Sequence, residues 1–328
     1  MKNDLKTINV LEVKNLKKEF NIGSFTHTRI IHAVNGIDLE IKEKEVVGLV
    51  GESGSGKTTV AKLIARLYDP TSGKFLLNGK EIPKKMSKRE LLKYRKHVQM
   101  IFQDPYSSLN PLHTIGYTLS RPLKVHKIKN ERKIEKEIGE LLERCGLTPA
   151  GDFINKYPYE LSGGQMQRVG IARALAVNPQ IVLADEPTSM LDVSIRLDIM
   201  NLMLDLKERN DVSYLFITHD LAGAHYMSDR IAIMYAGFIV EIGPSDNVIN
   251  EPMHPYTQLL KKAAPKPEFG LEPERVDTSG EVPDLSRLPS GCPFEPRCPF
   301  VKKECTKRLP DMVQIDKDRF VRCILYYK

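Results

Sequence analysis

No stretch of this chain approaches eighteen consecutive apolar residues, so no segment is expected to cross a bilayer as a helix. The opening residues, Met1-Lys2-Asn3-Asp4-Leu5-Lys6, lack the apolar run of a secretory signal, and the expectation is a protein of the cytoplasm. No sustained heptad repeat lies between residues 57 and 161, which argues against a long coiled coil there. The net charge is +7, yet lysine and arginine are scattered among acids, as in Lys84-Lys85-Met86-Ser87-Lys88-Arg89-Glu90. No basic stripe studded with aromatics is present, so nucleic acid is not an expected partner. A solvated surface that also suits anionic lipid headgroups is the simpler reading. Cysteine is scarce over most of the chain, and no C-x₂₋₄-C pair of the kind usual at structural zinc occurs.

What is present begins with Gly51-Glu52-Ser53-Gly54-Ser55-Gly56-Lys57-Thr58, which fits G-x-x-x-x-G-K-[ST]. The apolar run 45–50 before it reads as a buried parallel strand. Residues 57–68 after it place Val60, Leu63, Ile64 and Leu67 at helical spacing. A strand-to-helix context is what gives this motif its meaning. Gly51, Gly54 and Gly56 can take φ > 0 and have no side chain to block phosphates. Successive N–H groups then form an anion-binding nest at a helix N-terminus. Lys57 is placed to reach the β- and γ-phosphates of a nucleoside triphosphate, and Thr58, followed by Thr59, to hold Mg²⁺.

Residues 180–186 form a second apolar strand that ends in Asp185 and Glu186. Asp185 suits a hold on Mg²⁺, and Glu186 suits polarisation of an attacking water, because phosphoryl transfer depends on positioning and electrostatics. A third apolar strand, 213–219, carries His219 at its carboxyl end, where ligands of open parallel sheets bind. About a hundred residues beyond the loop, Leu161-Ser162-Gly163-Gly164-Gln165 makes a serine–glycine turn opening a helix. Ser162 can cap that helix, and Gly163 and Gly164 leave its first N–H groups open to an anion. A chain carrying both phosphate-contacting elements suggests a site completed by two protomers.

With 328 residues, 41% of them hydrophobic, the chain can bury a large core and is expected to form more than one domain. The fold class expected is α/β of the P-loop NTPase type. Residues 1–104 and 162–250 form the nucleotide core, with an antiparallel β portion around Val10–Ile41. Residues 105–161 are expected to be helical, with Ile134, Ile138, Leu141, Leu142 and Cys145 on one face. Residues 251–328 form a small extension. Within it, a stretch with Pro265, Pro267, Pro273, Pro283 and Pro289 reads as an extended linker with little helix. Four of five cysteines then follow, Cys292, Cys298, Cys305 and Cys323, spaced C-x₅-C-x₆-C-x₁₇-C. Spacing leaves metal binding and unliganded thiols both open; disulfides are disfavoured in a reducing compartment. Four thiolates can hold an iron–sulfur cluster, and a tail with few large apolar residues needs a staple to fold.

Over roughly residues 8–250 these motifs resemble the nucleotide-binding subunits of ABC transporters. The resemblance implies that Gln103, in Ile101-Phe102-Gln103-Asp104, touches Mg²⁺ and senses the γ-phosphate. It further implies that Asp192, after Leu191, crosses a dimer interface, that His219 is the switch histidine, and that Phe20 stacks on adenine. Met190 departs from the alanine more usual there. The signature Ser162-Gly163-Gly164-Gln165 is expected to bind the γ-phosphate held by the opposite protomer's Lys57, burying two ATP between head-to-tail subunits. His254-Pro255-Tyr256-Thr257 with Gly291-Cys292-Pro293-Phe294-Glu295-Pro296-Arg297-Cys298-Pro299 is similar to the C-terminal extension of the oligopeptide/dipeptide-importer branch, and so implies a [4Fe-4S] cluster on the four cysteines. The partners implied are membrane permease subunits, a second ATPase subunit (identical or a related paralogue) and, indirectly, an extracytoplasmic substrate-binding protein. The place implied is the cytoplasmic face of the membrane. Relatives of this branch also import oligosaccharides or metal chelates. Soluble ABC ATPases of DNA repair or translation are disfavoured by the absent coiled coil and the single nucleotide core, and exporters by the absence of fused transmembrane helices.

Overall fold

The structure is a computed structural model that describes residues 9–24, 27–126, 130–263 and 283–327. The chain divides into two compact units: one holds Leu11–Ile41, Val46–Lys84 and the chain from Phe216 onward, and the other holds Lys42–Glu45 and Lys85–Leu215. The first segment contributes β1 (Asn9–Ser24), β2 (His27–Lys42), β3 (Val46–Val50), α1 (Lys57–Ile64), β4 (Ser72–Leu77) and β5 (Lys80–Ile82). The middle contributes α2 (Lys88–His97), β6 (Val98–Ile101), α3 (Pro105–Ser108), α4 (Ile115–Val125), α5 (Glu131–Arg144), α6 (Gly151–Ile154), α7 (Gly163–Leu175), β7 (Ile181–Asp185) and α8 (Val193–Asn210). β8 (Ser213–Thr218) carries the chain back, and α9 (Leu221–Met227), β9 (Arg230–Tyr235), β10 (Phe238–Pro244), α10 (Ser245–Asn250), α11 (Pro255–Ala263), β11 (Val313–Asp316) and β12 (Arg319–Val321) complete it.

In the first unit, β2, β1, β4 and β5 make the antiparallel sheet expected around Val10–Ile41. β3 pairs in parallel with β9, which continues antiparallel through β10 and β12 to β11. Every residue of β3 is buried, the signature of a parallel strand covered on both faces. α1 ends at Ile64, earlier than the apolar spacing implies. Arg66 turns to φ 55° and its guanidinium donates to the carbonyls of Pro83 and Lys84 at 2.7 and 2.5 Å. Leu67 is therefore exposed rather than on the buried face.

In the second unit, β6 and β7 run parallel, and α3, α4 and α5 pack on α7. Ile134, Ile138, Leu141, Leu142 and Cys145 are buried together, as their spacing predicts. Burial pushes the Cys145 thiol up to about 12, so it remains a protonated, inert apolar group.

The C-terminal extension docks on the first unit. α11 ends at Ala263, just before the proline-rich stretch expected to form an extended linker, of which Pro265, Pro267 and Pro273 lie outside the described residues. Phe294 joins Val50, Leu221, Ile231, Ile233, Tyr235, Val240 and Tyr256 in one buried cluster, with Leu285, Leu288, Cys292 and Cys298 against it. The extension thus borrows the apolar core it lacks. At its root, Glu241 is fully buried and accepts from the Met253 and His254 amides at 3.1 and 2.9 Å and from Arg319 Nη2 at 3.1 Å. His254, buried beside it, accepts the Tyr256 amide on Nδ1 at 3.0 Å.

Desolvation, helped by the Arg322 charge, drives the His254 imidazole down from 6.5 to about 3. The unfolded imidazole takes a proton below its ordinary value and the folded one does not. Its contribution is therefore complete above pH 6.5 and is lost as the pH falls towards 3. We expect stability to fall by up to about 1.4 kcal/mol per pH unit in that window, and His254→Asn, which keeps an acceptor but cannot titrate, to flatten the dependence. Urea unfolding of both proteins at pH 7.5 and about 5.5 measures this, and equal pH slopes would contradict it.

Candidate functional site

The loop between β3 and α1 is shaped by close backbone approaches. A Cβ on Gly51 would stand 2.1 Å from the Met234 carbonyl oxygen, and one on Gly56 2.3 Å from that of Ala33. Gly54 and Gly56 use the positive φ open to glycine, at 79° and 104°. What Gly51 needs is space. Gly56 stands at the helix N-cap without a side-chain capping bond, which leaves the first amides of α1 to an anion. Lys57 is only 5% exposed and donates to the carbonyls of Gly51 and Glu52 at 2.7 and 2.8 Å. Its ammonium is folded back over its own loop. Ser53, Thr58 and Thr59 sit in the same turn and the first turn of α1.

His219 follows β8 directly and is exposed, in this same unit. Phe20 is half-buried on β1, with its ring edge-on to Tyr68 at 5.4 Å and the Lys18 ammonium 4.8 Å from its centroid. The ring is thus held at a defined angle, with a cation on one side.

The second unit carries the other predicted residues. Asp185 ends β7 and is buried. Glu186 follows with φ 44°, a left-handed conformation that costs a non-glycine residue about 1–3 kcal/mol unless its surroundings impose it. Its carbonyl accepts the Ser189 amide and hydroxyl at 3.2 and 3.0 Å. Its carboxylate accepts from Gln103 Nε2 at 3.0 Å. Two residues 83 positions apart are thereby brought together. Ser162 caps α7 in a reciprocal box with Gln165: its hydroxyl accepts the Gln165 amide at 3.3 Å, and the Gln165 side chain accepts the Ser162 amide at 3.0 Å. A Cβ on Gly164 would lie 2.9 Å from Ile195 and one on Gly163 3.5 Å from Leu191. The signature turn therefore packs on the segment around Asp192, the N-cap of α8, with Met190 and Val193 exposed beside it.

The iron–sulfur expectation is corrected. Cys292, Cys298, Cys305 and Cys323 do line one cavity, but its volume is about 10 Å³, at the threshold for a single water molecule. Among the described residues no group of three or more His, Cys, Asp or Glu is placed to hold a metal ion. Burial pushes Cys292 up to about 12 and raises Cys298 and Cys323, which keeps these thiols protonated in the metal-free chain. The staple argument fails too, because Phe294 and its neighbours supply the missing core. The sequence reading missed Arg297 and Tyr256, both of which bond to Glu52. An arginine between two cysteines and an acid inside a phosphate-loop motif were the available signals.

No helix among the described residues is long and apolar enough to cross a membrane. Residues 34–189 match the family described as ABC transporter, and residues 240–305 the one described as oligopeptide/dipeptide transporter, C-terminal region. The chain is 42% identical over 325 residues to YkfD of Bacillus subtilis (strain 168), covering 98% of this chain and 97% of that one. It is 40% identical over 322 residues to the oligopeptide transport ATP-binding protein AppF of the same organism, covering 97% of each. Among solved structures, a dimeric ATP-binding cassette in a post-hydrolysis state with ADP and Pi superposes with a TM-score of 0.64 at 33% identity, over 72% of this chain and 98% of that one. cbiO1 from Clostridium perfringens, part of an ABC transporter complex, gives 0.63 at 27% identity, over 74% and 92%.

Gly51→Ala tests the packing of the loop. The added carbon cannot coexist with the Met234 carbonyl, so the loop must shift, and nucleotide binding should fall by at least about tenfold, a loss of 1.4 kcal/mol or more. Gly139→Ala, where a Cβ meets nothing within 4 Å in α5, should leave binding unchanged. Titration of both variants with a fluorescent nucleotide reads the difference.

Proposed function

The chain belongs to the ABC transporter ATP-binding family and is an ATPase of the cassette fold; from that premise we propose that it powers the import of oligopeptides or dipeptides through separate membrane permease subunits. In this reading two ATPase subunits close around two ATP, at the cytoplasmic face of the membrane, and hydrolysis reopens them. Peptide is the cargo best supported, because the C-terminal match and the names of the relatives agree on it. The nucleotide core is assigned to residues 1–104 and 162–250, the helical signature segment to 105–161, and the extension to 251–328.

The observation that carries the reading is the glycine-constrained loop, with its uncapped helix N-terminus and buried Lys57. Gly51 to Thr59 cradle the phosphates, Lys57 leaving its own carbonyls for the β- and γ-phosphate oxygens. Phe20 packs on the adenine. Thr58, Gln103 and Asp185 offer a hydroxyl, an amide and a carboxylate, hard oxygen donors that suit Mg²⁺. The Gln103 amide nitrogen is engaged with Glu186, so its oxygen is the end offered to the ion. Bound Mg²⁺ would neutralise charge on the β- and γ-phosphates. Glu186 polarises the attacking water, its strained backbone and the Gln103 bond fixing the carboxylate, and His219 contacts the γ-phosphate. Ser162, Gly163, Gly164, Gln165 and Asp192 act on the nucleotide of the opposite subunit.

Two experiments follow. Glu186→Gln should retain ATP and accumulate as a nucleotide-bound dimer, with turnover reduced by about a hundredfold or more, whereas Lys57→Ala should lose nucleotide itself. Turnover near the wild-type rate in Glu186→Gln would remove Glu186 from its role. Separately, mixing Ser162→Arg with Lys57→Ala subunits should regenerate one intact site per mixed dimer and recover ATPase activity. Mixed dimers that form yet stay inactive would refute the shared site.

A further inference from the structure

Glu52 is anchored at every polar group it has, and two of the anchors come from the C-terminal extension. Its carbonyl accepts from Lys57 Nζ at 2.8 Å and from the Ser55 amide at 3.2 Å. Its own amide donates to the Tyr256 hydroxyl at 2.9 Å. Its carboxylate takes two parallel bonds from Arg297, Nη1 to Oε2 and Nη2 to Oε1, each at 2.9 Å. The Arg297 side chain is only 7% exposed, and its guanidinium lies 5.8 and 5.7 Å from the ring centroids of Tyr235 and Phe294.

This arrangement has two physical consequences. A bidentate guanidinium–carboxylate pair fixes geometry as well as charge, so the second residue of the phosphate loop cannot move unless the extension moves. Phosphate binding places no demand for an acid at this position, one of the free ones in G-x-x-x-x-G-K-[ST]. A bare carboxylate there would repel a triphosphate, and Arg297 cancels that charge where water screens it poorly.

The geometry points to Arg297 as a positioning residue for the phosphate loop: supplied by the C-terminal extension, it holds and neutralises Glu52, and ATP affinity depends on the docked extension. The assignment rests on the reading of residues 51–58 as the ATP site. Tyr256 is the second arm of the clamp, fixing the Glu52 backbone while Arg297 fixes its side chain. The extension is thereby wired to nucleotide binding, with no residue of its own needed at the reacting phosphate.

The test is a set of ATP titrations and steady-state ATPase measurements on the full-length chain. Arg297→Ala should raise the Kd and KM for ATP about tenfold, the scale of one charge-assisted contact, with kcat within about twofold. Glu52→Gln with Arg297→Ala should recover most of the affinity that Arg297→Ala alone loses, because the unpaired charge is gone. A purely structural role of Arg297 would predict the same loss whether or not Glu52 is replaced. Arg297→Lys, which keeps the charge without the fork, should fall between wild type and Arg297→Ala and carries the test if the alanine variant folds poorly; protease resistance of residues 283–327 monitors docking. Affinity unchanged in Arg297→Ala, or an undiminished loss in the double variant, would overturn the proposal. Normal ATP binding by Lys57→Ala would overturn the loop assignment itself and the proposal with it.

Discussion

The carboxylate of Glu241 has no contact with water, and a buried charge without partners would make the fold untenable. Its partners are the Arg319 guanidinium and the amides of Met253 and His254. Those donors sit on the chain entering and leaving the extension, so satisfying one acid on β10 requires both passes to return to the same strand. Arg319 also donates to the Glu251 carbonyl, and β12 pairs with β10 at Glu241 itself. Such a pair need not add net stability over an apolar substitute. It does fix where the extension attaches, and everything the extension touches follows from that placement.

Around the nucleotide motifs, order comes from backbone that cannot be elsewhere. Gly51 and Gly56 are pressed against the Met234 and Ala33 carbonyls. Glu186 holds a left-handed turn with its carbonyl tied to Ser189, and the capping box on Ser162 sets the start of α7. Left-handed turns and tight approaches also occur elsewhere, at Arg66, Asp211 and Gly237, but in the proposed reading these ones fall on residues that handle phosphate. Chemistry of this kind gains from groups already in position before the reaction begins.

The motifs were legible because their residue types are demanded by local geometry: glycines where a backbone crowds, an apolar run where a strand is covered on both faces, a serine where a helix starts. Gln103 entered the site only through family resemblance, and its bond to Glu186 was not foreseen, because nothing in local pattern joins residues so far apart. The end of α1 was misread because Leu67 continues the apolar spacing past the point where Arg66 turns the chain. The cysteines were misread for a related reason. Their clustering looked like a ligand set, and the aromatic cluster that supports the tail is assembled from β9, α11 and Phe294, which no window of sequence contains.

The clamp on Glu52 also bears on how such a chain can be recombined. An extension that merely sat on the surface could be exchanged between cassettes as a detachable module. This one carries a nearly dehydrated guanidinium that requires an acid immediately after Gly51 in its host. Transplanted onto a cassette with a neutral residue there, Arg297 would be left buried beside Tyr235 and Phe294 with its main counter-charge missing. Positions 52 and 297 must therefore be inherited or engineered as a pair, although 245 positions separate them along the chain.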